Sequence, residues 1–214
     1  MGWCWRFLGE ENPDYQFVLH DEDADRVVAA GYTGPIVWDG VDARLPDSFD
    51  EAIVQVVNAR RTGKPVDTLC AMAAEIPPLE RSRGLAAEVL RGMREIAARH
   101  GLARIVAPVR PSWKERYPLA PIERYVTWRR EDGTLLDPWM RVHERLGARV
   151  ARRMPQSLRI TGTVAEWESW TGMALPETAS YVFPRGLAPL QVDREADRCT
   201  YWEPNVWVVH PDVV

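Results

Sequence analysis

Leu69 to His100 constrains this chain more than any other stretch, because it reads as a buried strand, a tight loop and a long helix in immediate succession. Leu69-Cys70-Ala71-Met72-Ala73-Ala74 is short and apolar and is closed by Glu75-Ile76-Pro77-Pro78, as a buried strand should be. Leu85, Val89, Met93 and Ile96 recur at helical spacing, with Leu90 and Ala97 alongside, and Gly101 is placed to end the helix. Between strand and helix lie Arg81-Ser82-Arg83-Gly84-Leu85-Ala86. The first N–H groups of a helix have no internal partner, and its dipole adds partial positive charge there. Such a turn stabilises an anion, and Arg81 and Arg83 add two fork-shaped cations. The expected ligand is a phosphate or pyrophosphate; the alternative is an ordinary strand–turn–helix with a solvated arginine pair.

Arg81 to Ala86 resembles the Gln/Arg-x-x-Gly-x-Gly/Ala signature of GCN5-related N-acetyltransferases, and Ile76-Pro77-Pro78 resembles that family's Val-x-Pro strand ending. The resemblance implies an α/β fold whose mixed, mostly antiparallel sheet is flanked by helices and has one splayed parallel strand pair. It implies acetyl-coenzyme A as co-substrate, with a strand bulge opening a gap for the pantetheine arm. Ile76, Arg81, Ser82, Arg83, Gly84, Leu85 and Ala86 would hold the coenzyme. Val142-His143-Glu144-Arg145-Leu146-Gly147-Ala148 resembles the family's Leu-Tyr-Glu-Lys-x-Gly-Phe segment, with His143 where a tyrosine often protonates the departing thiolate. Histidine can hold and donate a proton near neutral pH; the alternative is a helix-surface histidine without chemistry. Some family members carry a glutamate at the strand end, which here is Glu75. If partly buried, its pKa would rise and make it a better base; otherwise it faces solvent or pairs with an arginine.

The 214 residues suit a single domain, and 46% apolar with 27% charged residues is ordinary globular composition. A net charge of −4 argues against a nucleic-acid partner. Acidic residues crowd the first third, and basic residues crowd 81–153, the half expected to hold the coenzyme. The three cysteines, Cys4, Cys70 and Cys199, make neither a zinc spacing nor a disulfide framework. No apolar run is long enough to span a membrane, and the N-terminus lacks a signal-peptide pattern, so a cytoplasmic location is expected. The ten tryptophans scatter without a repeat period.

Along the chain, Tyr15–His20 reads as a strand, and 27–32 with 35–38 as a returning strand bent near Gly34-Pro35. Asp47-Ser48 caps an expected helix over 48–61. The family opens with a strand and two helices, yet only about fourteen residues precede the first strand here, too few for two helices. Either the 48–61 helix takes over the cover of the acceptor site or the start of the domain is truncated. Residues 103–109 read as the next buried strand, parallel to 69–74. Arg110 to Asp137 mixes prolines, aromatics and basic residues, and reads either as a loop closing over the acceptor or as an excursion packed by its own aromatics. Asp137-Pro138 starts a further helix that Gly147 ends. Thr163 caps a short helix over 164–170, and 180–192 with 199–210 read as a hairpin beside the sheet, inside an extension over 151–214.

The function expected is direct, ternary-complex transfer of an acyl group, by default acetyl, from acyl-coenzyme A to a small-molecule amine. Catalytic candidates are Glu75 and His143; no metal ligand set is expected, nor a Ser–His–Asp arrangement. His20, His100 and His210 sit at element ends without legible partners. The alternatives are a non-catalytic acyl-coenzyme A-binding or partner-binding domain and a thioester hydrolase or decarboxylase. A monomer or homodimer is expected.

Overall fold

The structure, a computed structural model, describes residues 2–81 and 83–213. Its elements are α1 (Gly2–Glu11), β1 (Gln16–Asp21), β2 (Arg26–Ile36), α2 (Phe49–Thr62), β3 (Thr68–Glu75), α3 (Leu85–Arg99) and β4 (Arg104–Val109). There follow α4 (Ile122–Tyr125), α5 (Pro138–Arg145), β5 (Arg149–Gly162), α6 (Val164–Thr171), β6 (Ala179–Tyr181), β7 (Leu190–Asp193) and β8 (Arg198–Val209). The strands form one sheet in the order β1-β2-β3-β4-β8-β7-β6, with β5 also pairing β8. The β3–β4 pair is parallel and the other named pairs are antiparallel. The expected mixed α/β fold is thus present.

Alternation of side chains along the central strands builds a core on each face. Leu69 and Ala71 of β3 pack with Val89, Leu90, Met93, Ile96 and Ala97 of α3, while Cys70 and Met72 pack on the other face with Ile53, Val56 and Val57 of α2. β8 divides likewise, Val206 and Val208 to the α3 side, Trp207 and Val209 to the α2 side. A third cluster joins α6 to β7 and β8 through Trp167, Leu190 and Tyr201. Ser48 caps α2 by accepting from the Glu51 N–H, as its sequence implies. A Cβ at Gly34 would collide with the Val56 side chain, so α2 sits directly on β2. Together with Leu8 of α1, α2 covers this face of the sheet.

β3 and β4 pair only at Thr68↔Arg104, Leu69↔Ile105 and Cys70↔Val106. Beyond that level β3 stays with β2 as far as Ala30↔Glu75, whereas β4 follows β8 as far as Val109↔Val206. The two strands therefore form a V. Its vertex coincides with a bulge: Ala71 faces Thr33 and Ala73 faces Tyr32, which leaves Met72 as the extra residue.

Three readings of the strands need correction. β2 is continuous over 26–36, with its irregularity between Tyr32 and Thr33 rather than at Gly34-Pro35. β8 does not lie beside the sheet: it lies inside it, between β4 and the β5 and β7 strands, because Val206 to Val209 are buried on both faces. β5 begins at Arg149, well before the stretch read as extended, and Arg149, Arg152 and Arg153 interrupt the apolar alternation that would announce it.

Candidate functional site

The turn before α3 is opened by Gly84, whose φ of 81° lies in the left-handed region that favours glycine. Among the described residues no side chain caps α3, and the Ala87 N–H bonds back to the Gly84 carbonyl at 3.0 Å. The N–H groups of Leu85 and Ala86 have no place in the helical ladder and belong to the orphan donors of a helix start. Ile76, Leu85 and Ala86 are half-buried around this turn; Ser82 lies outside the described residues.

The two loop arginines differ. Arg81 is exposed, and no carboxylate among the described residues pairs with it. Arg83 is committed to the protein: its guanidinium pairs with Glu80 and, at 3.1 Å, with Asp21. Glu80 is only 1% exposed and is also paired with Arg26. The Arg83 and Arg26 guanidinium groups hold its carboxyl below the usual range. Arg83 therefore braces the turn, and of the two expected cations Arg81 is the one without a carboxylate partner among the described residues.

Glu75 is exposed at the end of β3, paired through its backbone with Ala30. It is not partly buried, and the bulge at Met72 lies three residues before it.

His143 is 1% exposed, on the inner side of α5. Its Nδ1 lies 2.9 Å from Nε2 of His210, and the Trp139 ring meets it edge-on at 4.4 Å between centroids. Its Nε2 is buried without a partner among the described residues. The His210 backbone N–H donates to the Ile105 carbonyl at 3.0 Å, which anchors the pair at the start of β4. Burial, and then the neighbouring His210, pushes His143 down to about 3. Burial and Arg94 push His210 down to about 4. The near-neutral titration expected of His143 is thus corrected: in the folded chain the imidazole is neutral. Its Nε2 offers a hydrogen bond if His210 donates to Nδ1, and a lone pair in the other tautomer. The partner lies 67 residues away, and no local signal announces it.

The 110–137 segment is packed by its own aromatics. Tyr117 and Trp128 meet edge-on at 5.1 Å, and Tyr125 and Trp128 lie at 5.3 Å. Lys114 is buried, its Nζ donating to the carbonyls of Tyr117 (2.8 Å) and Leu187 (2.6 Å), and burial pushes it down to about 8. Asp137 gathers the Trp113 N–H at 2.7 Å and the Tyr125 hydroxyl at 2.8 Å while capping α5. Two of the segment's cations are held by carboxylates at the surface: Arg110 pairs with Glu203 at 2.9 Å and Arg129 with Glu144 at 2.9 Å.

Sequence reasoning also missed a cleft of about 470 Å³ between the start of α2 and the irregular part of β5. Among the described residues no group of three or more His, Cys, Asp or Glu could hold a metal, and no helix is long and apolar enough to cross a membrane.

No family model matches the chain. It is 34% identical over 222 residues to the arginine N-acetyltransferase avaD of Aspergillus versicolor, a match that covers 92% of this chain and 76% of that protein. Its fold is similar to that of the loading GNATL domain of CurA from Lyngbya majuscula (TM-score 0.62, 19% identity, 97% of this chain and 80% of that one). It is also similar to the GNAT-like decarboxylase GphF in complex with isobutyryl-CoA (TM-score 0.58, 19% identity, 97% and 83%). A curated relative follows nearly the whole chain, which carries the V between β3 and β4 and the glycine turn before α3: the chain belongs to the GCN5-related N-acetyltransferase superfamily.

Proposed function

We propose that this protein transfers the acetyl group of acetyl-coenzyme A to the amino group of a small molecule by direct attack in a ternary complex. The observation that carries the reading is the V between β3 and β4, with the uncapped start of α3 at the end of the same strand. In this reading the pyrophosphate rests on the α3 N–H groups and Arg81, the Arg83–Glu80 pair holds the turn, and the pantetheine arm enters the V past Ile76. The bulge at Met72 takes a backbone N–H out of the regular ladder where the thioester carbonyl would lie, and a donor there stabilises the oxyanion.

The neutral amine attacks the carbonyl carbon, the tetrahedral intermediate collapses, the C–S bond breaks, and the ammonium proton leaves to a base. Glu75, exposed at the end of β3, is the proposed base, directly or through water. His143 is the proposed partner of the departing thiolate. Being neutral, it serves through an Nε2–H hydrogen bond, with His210 fixing the tautomer. Direct transfer is favoured because Cys70 and Cys199 are buried and burial pushes both thiols up, so neither is poised as a nucleophile.

The relative from Aspergillus versicolor is named for arginine acetylation, which makes arginine the first acceptor to try. The test is calorimetric titration with acetyl-coenzyme A, followed by thiol release across a panel of amines. Saturable binding with amine-dependent thiol release is expected. Binding without turnover for any amine would leave a coenzyme-binding domain, and free acid or carbon dioxide released without amine would move the reading to hydrolysis or decarboxylation.

A further inference from the structure

The cleft at the start of α2 is a built feature. β5 places three residues, 155–157, between the pairs Met154↔Asn205 and Leu158↔Glu203, where β8 places only Pro204. The strand must bulge there. Ser157, fully buried, accepts the Phe49 N–H at 3.2 Å and ties the bulge to the first turn of α2. Val206, one residue beyond Asn205 on β8, pairs with Val109, the last residue of β4. At about 3.3 Å per residue the bulge is level with the end of β4 to within roughly 10 Å, and it stands two strand spacings, about 10 Å, to the side of β4, with β8 between them.

Asp47, Asp50, Arg153, Gln156, Arg159 and Trp202 are among its lining residues. Asp47 is paired with Arg152, whose Nη1 also donates to the Leu45 carbonyl at 2.7 Å. Among the described residues, Arg153 and Arg159 have no carboxylate partner and Asp50 has no cation. Arg159 lies over the Trp202 ring at 5.7 Å, which limits its freedom. Two uncommitted guanidinium groups and an uncommitted carboxylate thus share one cleft, within reach of a long side chain from the strand that borders the V.

We infer that this cleft binds the acceptor and selects a cationic amino acid. Its carboxylate would lie on Arg153 and Arg159, and its charged side chain would lie against Asp50. This rests on the transferase reading and narrows it. A plain amine would leave both arginines unmatched, and a phosphate would meet Asp47 and Asp50 as like charges.

The test compares arginine with agmatine, which keeps the guanidinium and the amine but lacks the carboxylate. Each is titrated calorimetrically into the coenzyme A-loaded protein. Arginine should bind at least about tenfold tighter than agmatine, since agmatine cannot make the charge-assisted contacts of the carboxylate. An Arg153→Ala, Arg159→Ala double substitution should remove that difference and leave acetyl-coenzyme A affinity unchanged. Asp50→Asn should weaken arginine more than alanine. Equal affinity for arginine and agmatine, no arginine binding, or inorganic phosphate displacing arginine at lower concentration would overturn the assignment. The comparison on the unaltered protein decides even if the double variant fails to fold. Arginine bound without thiol release would instead overturn the transferase reading and leave the cleft assigned. Thiol release that is equal for both amines would do the reverse.

Discussion

Arg81 and Arg83 stand two positions apart and have opposite fates. Arg83 is held by the buried Glu80 and by Asp21, whereas Arg81 has no carboxylate partner among the described residues. Replacing Arg81 with Ala should weaken acetyl-coenzyme A by about tenfold, one charge-assisted contact, and leave the melting temperature unchanged. Replacing Arg83 with Ala should lower the melting temperature, because Glu80 then depends on Arg26 alone. Titration and melting of the two variants separate a ligand contact from a brace; equal loss of affinity with equal stability would refute the distinction. Gly84 is a third case. An added Cβ would meet nothing within 4 Å, so the φ of 81° alone makes Gly84→Ala unfavourable. The cost should be about 1 kcal/mol, with weaker coenzyme binding as the turn relaxes.

Asp137 shows how one residue orders two elements. It caps α5 through the Trp139 and Met140 N–H groups and also accepts from Trp113 and Tyr125, so it fastens the 110–137 segment to the helix. Asp137→Ala should cost about 3 kcal/mol or more, the cap plus buried donors left unpaired, and Asp137→Asn distinctly less. Urea unfolding of both variants measures this; a loss near 1 kcal/mol would mean that only the cap matters. The cap itself was legible, because Asp-Pro before an apolar period is a local signal. So were Ser48 on α2, the α3 face and the strand–turn–helix around Gly84, for the same reason. The V was foreseen only through a family resemblance, since splaying is a relation among β2, β3, β4 and β8 that no short stretch carries. β5 stayed hidden because its arginines serve α2-side partners: Arg149 pairs with Asp42 and Arg152 with Asp47. His210 and the cleft at Asp50 depend on contacts across more than 60 residues, beyond any spacing rule.

Stability of the molecule as a whole should carry the signature of the imidazole pair. In the unfolded chain His143 and His210 take up protons as pH falls through about 6.5. In the folded chain they resist until about 3 and about 4, because burial penalises the charged ring and each faces a further cost, His210 beside His143 and Arg94 beside His210. Between those limits the unfolded state binds more protons, so folding stability is full above about pH 6.5 and falls as pH drops. At pH 5 the loss should be about 2 kcal/mol for each imidazole. Carboxylates held low by arginines, such as Asp42 beside Arg149 and Glu80 beside Arg83, contribute in the same direction only at lower pH, near and below the ordinary carboxylate range. The interval from pH 7 to pH 5 therefore isolates the histidines. Urea unfolding at pH 7, 6 and 5 should show this slope in the unaltered protein, about half of it in His210→Asn, and little of it in the His143→Asn, His210→Asn double variant. The comparison uses slopes rather than levels, so a constant cost of the substitutions cancels. A flat profile in the unaltered protein would mean that the pair accepts protons without unfolding. His143 would then regain the proton-donor role that its burial denies it.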